Sequence, residues 1–269
     1  MKLNKKNYFS EKNTLISSSK IKDYLLSPQY YKAKHIDHTI VEEPTDAMHI
    51  GTMTEMMLDS GTFSSVFSKF NVVVRRSKDT EDSRIQVTET MFNEAKAMAE
   101  AVMATKAYKQ LQEFKKQVVL QSGKLCGMLD FLKINNDGTA VIVDLKTSNT
   151  VDEKKYYYHA LDMGYYIQAA CYVKLVKENY PEVKDITFYH LVVEKDPKKI
   201  YRVRMFEFDN VKIKDTIYDV ENLVKEISTR KDWTPDEVSL DTALPLRNPR
   251  DNQETELSGA VVGLGDMML

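Results

Sequence analysis

The chain has 269 residues, 42% hydrophobic and 29% charged, with only 9 Gly and 7 Pro, which excludes wholesale disorder and collagen-like repetition. At roughly 150 residues per domain, that length suits one large domain or two small ones. Its 38 Lys and Arg against 40 Asp and Glu leave a formal net charge of -2, so no global positive field advertises a nucleic-acid binder and any polyanion must meet a local basic patch. From Leu15 the segment LISSSKIKDYLLSPQYYKAK predicts a short helix capped by a serine at 17 to 19, stopped before Pro28 and followed by a second helical turn. Asp46 to Asp59 carries apolar residues on almost every side of a helix, the pattern of a buried one. Residues 71 to 74, NVVV, form a strand candidate, and the Glu-, Ala-, Lys- and Met-rich stretch from about Val87 to Phe114 predicts one or two helices.

The centre of the chain changes period. Apolar runs flank Asn135-Asn136-Asp137-Gly138, and Asp-Gly between such runs signals a hairpin. The pattern predicts strands near 117 to 122, 125 to 134 and 139 to 146, then helices over Asp152 to Asp162 and Tyr165 to Glu178. ITFYHLVVE (186 to 194) and IYRVRMFEF (200 to 208) alternate as two more strands, and Val211 to Thr229 is an amphipathic helix. The expected fold is α/β: a central mixed β-sheet flanked by helices in one domain over residues 1–240, with a tail from 241 to 269 that has no core of its own. No stretch approaches ~18 consecutive apolar residues, and the start MKLNKKNYFSEKN lacks the apolar centre of a signal peptide. A cytoplasmic protein with no membrane contact is therefore expected. Cys126 and Cys171 are too few for a four-thiolate site and read as buried thiols. His35, His38, His49, His159 and His190 contain no pair at helical ligand spacing with a carboxylate partner, which disfavours a zinc enzyme.

Asp144 and Lys146 are two apart on a strand, so their side chains project to one face at its end. Asp130 lies on the neighbouring strand just after Gly127, where a missing side chain allows a close approach. Pairing about the Asp137-Gly138 turn sets position 130 opposite roughly 144 to 145, so Asp130 and Asp144 converge. Two such carboxylates repel unless a cation sits between them, and hard oxygen ligands favour Mg²⁺ or Mn²⁺. Lys146 beside that metal can orient or help deprotonate an attacking water. The plainer reading is a surface ion pair between Asp144 and Lys146, contributing at most about 1 kcal/mol. Glu55 is a third carboxylate, the only charged residue between Ala47 and Leu58; it is either a buried group in need of a partner or an exposed Glu at a helix edge. Gln168 and Tyr172 share a helix face at i and i+4, with Tyr165 near it and Tyr166 on the opposite side packing against the sheet.

Together these residues resemble the PD-(D/E)XK nuclease superfamily, specifically phage-type RecE-like and RecB-like exonucleases, with lambda exonuclease as a more distant relative. The resemblance covers about residues 15 to 235 and rests on several motifs in order. They are Ser17-Ser18-Ser19 through Ser27-Pro28 with Tyr30-Tyr31, Gly51-Thr52-Met53-Thr54-Glu55, and Gly127-Met128-Leu129-Asp130 followed by Asp144 to Thr147. Gly164-Tyr165-Tyr166-Ile167-Gln168 through Tyr172 completes the set. Two positions depart from the family pattern. Glu55 stands where RecE-like and RecB-like members often have His, as in the lambda-type branch, and Ser27 stands where some relatives place a cysteine of an iron-sulfur cluster.

The resemblance implies a core resembling a restriction endonuclease and Mg²⁺-dependent hydrolysis of DNA phosphodiesters, with Mn²⁺ as a substitute. Glu55, Asp130 and Asp144, plus the Leu145 carbonyl, would hold the metal; Lys146 would position the attacking water; Gln168 and Tyr172 would face the site and help hold the lysine, the water or the phosphate. It further implies digestion of the 5′-ended strand of linear duplex DNA, leaving a 3′ single strand for an annealing protein in phage-type recombination. A homo-oligomeric ring of three or four subunits would enclose the duplex, with Lys124, Lys133, Lys154 and Lys155 either lining its path or forming solvated faces. Two other readings remain: an endonuclease or CRISPR-type trimming nuclease without the cluster, and a nuclease-fold scaffold that binds DNA ends with little catalysis. The apolar end AVVGLGDMML could dock on an annealing protein, on a neighbouring subunit, or on nothing.

Overall fold

In the computed structural model, which describes residues 3–10, 12–77, 81–195, 198 and 200–234, the first elements are α1 (Ser18–Leu26), α2 (Pro28–His35), α3 (Asp46–Ser60), β1 (Phe70–Val73), β2 (Ile85–Thr88), α4 (Glu89–Met103) and α5 (Lys106–Leu111). Then follow β3 (Lys115–Ser122), β4 (Leu125–Ile134), β5 (Thr139–Ser148), α6 (Glu153–Asp162), α7 (Tyr165–Asn179), β6 (Asp185–Glu194), β7 (Val203–Glu207) and α8 (Asn210–Thr229). All these elements lie in one compact unit that ends at Trp233. The expected tail from 241 to 269, and the domain limit at 240, fall outside the described residues.

Local chemistry sets the helix ends. Ser17 Oγ accepts the Lys20 N–H at 3.4 Å and Ser27 Oγ accepts the Tyr30 N–H at 3.3 Å, so each serine satisfies a donor that its helix leaves unpaired. Pro28 follows at the start of α2, where its missing N–H costs nothing. At the central hairpin Gly138 has φ +81°, a left-handed conformation that favours glycine, and Asp137 Oδ1 accepts the Thr139 N–H at 2.9 Å.

The main sheet has the order β3-β4-β5-β6-β7 and is antiparallel except where β5 and β6 run parallel. That parallel step needs a crossover, which α6 and α7 supply. Residues of α1, α2, α7 and α8 pack with Ala140, Ile142, Phe188 and Val192 in one core, while α3 and α4 pack with Val143, Leu145, Leu191 and Val193 in the other. Along β5 the faces alternate, so Asp144 and Lys146 continue the row of Ala140 and Ile142 toward α7. The mixed sheet flanked by helices is the fold class expected from the sequence.

Three expectations are corrected. Ile85–Thr88 is a strand paired in parallel with β1, and the helix predicted from Val87 starts only at Glu89, behind the Thr88 cap. Strand β7 begins at Val203 rather than 200. Helix α3 buries Ile50, Met53, Thr54, Met57 and Leu58 but leaves Met48 59% exposed, so one face is buried rather than all of them. No helix among the described residues is long and apolar enough to cross a membrane.

Candidate active site

Strands β4 and β5 pair from Ile134↔Ala140 to Phe131↔Val143 and then part, although both continue. Extending that register sets Asp130 level with Asp144, at the near end of the interval read from the sequence. There the Asp130 carboxylate takes over from the ladder: its Oδ2 accepts the Leu145 N–H at 2.8 Å. The alternation of β4 also breaks at this point, because Leu129 and Phe131, two residues apart, belong to opposite cores. Across from Asp130, between the pairs Lys116↔Phe131 and Val118↔Leu129, Gln117 has φ +53°, uncommon for a residue other than glycine. Its Nε2 donates to Glu55 Oε1 at 2.6 Å and lies 3.4 Å from Asp130 Oδ1. One amide on a strained backbone thus joins a carboxylate of α3 to one of β4.

Asp144 is 2% exposed. Its Oδ1 accepts from Gln168 Nε2 at 2.9 Å, and its Oδ2 is ion-paired with Lys146. This burial removes the plainer reading of Asp144 and Lys146 as a surface pair. Tyr172 acts through Gln168: its hydroxyl lies 3.1 Å from Gln168 Nε2 and donates to the Met128 carbonyl at 2.8 Å. The close approach expected at Gly127 is made by Tyr172, since a Cβ there would lie 2.9 Å from its Cε1. Lys146 Nζ sits 5.1 Å from the centre of the Tyr165 ring, and Tyr166 packs against Phe208, which follows β7. Gln168 therefore holds the aspartate rather than the lysine, and Tyr172 holds Gln168.

Charge and burial compete here. Burial pushes the Glu55 carboxyl up, opposed by the Gln117 hydrogen bond and reinforced by Asp144. Burial, then Asp144 and Glu55, raise Asp130 well above the usual carboxyl range. For Lys146 burial works to lower the ammonium's pKa, but Asp144 and Asp130 outweigh it and hold the group above its ordinary value. His190 lies beside Asp144 on β6 and is fully buried; burial and the Lys146 charge hold it well below the usual histidine range, so its ring is neutral.

Among the described residues, no three Asp, Glu, His or Cys side chains stand as a ready metal shell. The expected meeting of Glu55, Asp130 and Asp144 around one ion is therefore not present in the side chains as they lie. The physical reason is that protein donors answer each charge: Lys146 takes Asp144, and the Gln117 amide takes Glu55 and Asp130. The donor set still fits a hard divalent cation, because it consists of carboxylate oxygens, two of them on groups whose pKa burial raises, and the only partner of Asp144 Oδ2 among the described residues is a lysine that a cation could displace. Glu55, Asp130 and Asp144 would hold such an ion once Gln117 and Lys146 turned aside.

The sequence reading missed Gln117, Tyr156 and His190. The signal for His190 was present, a lone polar residue inside the apolar run ITFYHLVVE, but its neighbour Asp144 follows only from the parallel register of β5 and β6. Of the four lysines near the core motifs, Lys133 pairs with Glu113 at 2.6 Å, while Lys124, Lys154 and Lys155 are exposed.

The model of a family described as a PDDEXK-like domain of unknown function, DUF3799, matches residues 17–235. The fold is similar to that of a candidate exonuclease from Eubacterium rectale, at 16% identity and a TM-score of 0.65, over 93% of this chain and 96% of that one. A phage-related exonuclease from Haemophilus somnus 129PT matches at 13% identity and a TM-score of 0.30, over 71% of this chain and 92% of that one, a score too low to carry a structural argument. No curated protein matches the chain. With its sheet, both flanking layers and every site residue inside the matched span, the chain belongs to this PDDEXK-like family and so to the PD-(D/E)XK nuclease superfamily.

Proposed function

We propose that the protein is a divalent-cation-dependent DNA exonuclease acting on the ends of linear duplex, with Mg²⁺ as its ion and Mn²⁺ able to substitute. One observation supports this most. Where β4 and β5 part, Asp130 and Asp144 stand level, Lys146 is paired to one and Glu55 is joined to the other through Gln117. A cation held by these carboxylates supplies Lewis-acid stabilisation of the charge that builds on a phosphodiester under attack by water. The chain's own groups do the rest. The Leu145 N–H fixes the Asp130 carboxylate, Gln168 fixes Asp144, and Lys146, once released from Asp144, presents an ammonium that orients the water or the phosphate. Digestion of the 5′-ended strand, a ring of three or four subunits around the duplex and delivery of the 3′ strand to an annealing protein complete the proposal, and rest on the family resemblance.

Linear duplex labelled at either its 5′ or its 3′ ends, incubated with Mg²⁺ beside a covalently closed circle, tests the reading. We expect early release of the 5′ label and an intact circle. Cutting of the circle would replace the exonuclease with an endonuclease. Absence of cleavage with either Mg²⁺ or Mn²⁺ would leave a DNA-end-binding scaffold.

A further inference from the structure

Among the described residues His190 Nε2 is a buried side-chain polar atom without a hydrogen bond, and it faces Asp144 Oδ2, the oxygen paired with Lys146, at 3.8 Å. A buried polar atom left unsatisfied is costly, so the bare His190 Nε2 calls for a cause. The distance is too long for a hydrogen bond. Lys146 already holds Asp144 Oδ2, so His190 Nε2 has no share of that oxygen while the lysine stays.

The surroundings of His190 fix both its ring and its proton. Phe208 lies 4.5 Å and Tyr165 5.0 Å from the ring, centre to centre, and Phe188 lies 5.3 Å away. Nδ1 is 2.7 Å from the Tyr156 hydroxyl. Burial holds that hydroxyl protonated, and its ring stacks 4.4 Å from Phe206. With a proton on Nδ1, the Nε2 lone pair would confront the Asp144 carboxylate across 3.8 Å of buried space. With the proton on Nε2, Tyr156 donates to Nδ1 and the ring aims an N–H at Asp144. Electrostatics favour the second arrangement.

We propose that His190 is a positioning residue for Asp144: held by Tyr156 as the Nε2–H tautomer, it supplies the hydrogen bond that keeps Oδ2 in place when Lys146 leaves that oxygen. Asp144 then keeps one orientation through the exchange of partners, with Gln168 on Oδ1 and His190 on Oδ2. Its consequence for cation binding rests on the nuclease reading above, whereas the tautomer does not.

Nitrogen-15 spectra of the histidine rings in the natural protein, with the His190 signals identified by their loss in His190→Gln, locate the proton. A proton on Nε2 supports the proposal and a proton on Nδ1 overturns it. Mn²⁺ titration calorimetry then separates positioning from packing. A glutamine amide at 190 can reach toward Asp144 as Nε2 does, whereas an asparagine stays near Tyr156. His190→Gln should bind Mn²⁺ close to the natural affinity, and His190→Asn about 10- to 100-fold more weakly. Equal affinity in both variants, whether weakened or unchanged, would overturn the positioning role. If the natural protein takes up no Mn²⁺, the nuclease reading fails while the ring spectra still decide the tautomer and the contact.

Discussion

Gly127→Ala tests whether the site is braced from behind by Tyr172. A Cβ at 127 would lie 2.9 Å from Leu175 Cδ1, 2.9 Å from Tyr172 Cε1 and 3.0 Å from Tyr172 Cδ1, closer than real contacts allow. Neither ring nor leucine has open space to enter, since Tyr172 and Leu175 are both buried. Overpacking of this kind costs about 1–3 kcal/mol. Displacing the ring also pulls its hydroxyl from the Met128 carbonyl and from Gln168, at about 1 kcal/mol for each hydrogen bond. Alanine returns about 0.4–1 kcal/mol by narrowing the unfolded ensemble. The expected net loss is about 2–4 kcal/mol, or roughly 4–16 °C in Tm for a domain of this size. Urea unfolding followed by circular dichroism measures it. Tyr172→Phe should cost about 1–2 kcal/mol through the same two hydrogen bonds, and the double variant should lose less than the two single losses added, because the hydroxyl is displaced already. A Gly127→Ala protein as stable as the natural one, or more stable, would refute the reasoning.

Further expectations concern charge. Asp130 has a folded pKa above its unfolded value, so its contribution to stability is complete below the ordinary Asp value of about 4 and is lost as pH rises through the higher folded value. Without divalent cation, Asp130→Asn should therefore be more stable than the natural protein at neutral pH, with the gap closing on acidification; urea melts across pH that show it widening toward acid would contradict this. Gln117→Glu replaces the amide donor between Glu55 and Asp130 with a group that, when ionised, can only accept. It should cost about 1–3 kcal/mol without cation, and Mg²⁺ should raise its Tm by more than that of the natural protein. Thermal melts with and without Mg²⁺ that show equal rises would argue against a cation among these oxygens.

Much of this fold is legible in the sequence because local rules and tertiary packing agree there. The hairpin strands around Asp137-Gly138, the serine cap at Ser17 and the stop before Pro28 all follow from turn and cap chemistry. Ile85–Thr88 was hidden because four residues carry little periodicity, and its sheet partner among the described residues is β1, from which it is separated along the chain. The acidic residues and Lys146 stood out by interrupting apolar runs. Gln117 gave no such sign: it sits in a strand with no glycine or asparagine to mark its positive φ, and its importance comes from two carboxylates that the fold carries to it. The pairing of Asp144 with Lys146 was read only as a surface ion pair, because sequence spacing does not specify the burial that sets its strength.

End-labelled linear duplex DNA incubated with Mg²⁺ tests most directly whether this cluster is a hydrolytic site. The natural protein should shorten the duplex progressively, whereas Lys146→Ala and Asp130→Asn should leave it intact while remaining folded by circular dichroism. Cleavage by either variant at the natural rate, or an intact duplex with the natural protein in both Mg²⁺ and Mn²⁺, would contradict the assignment.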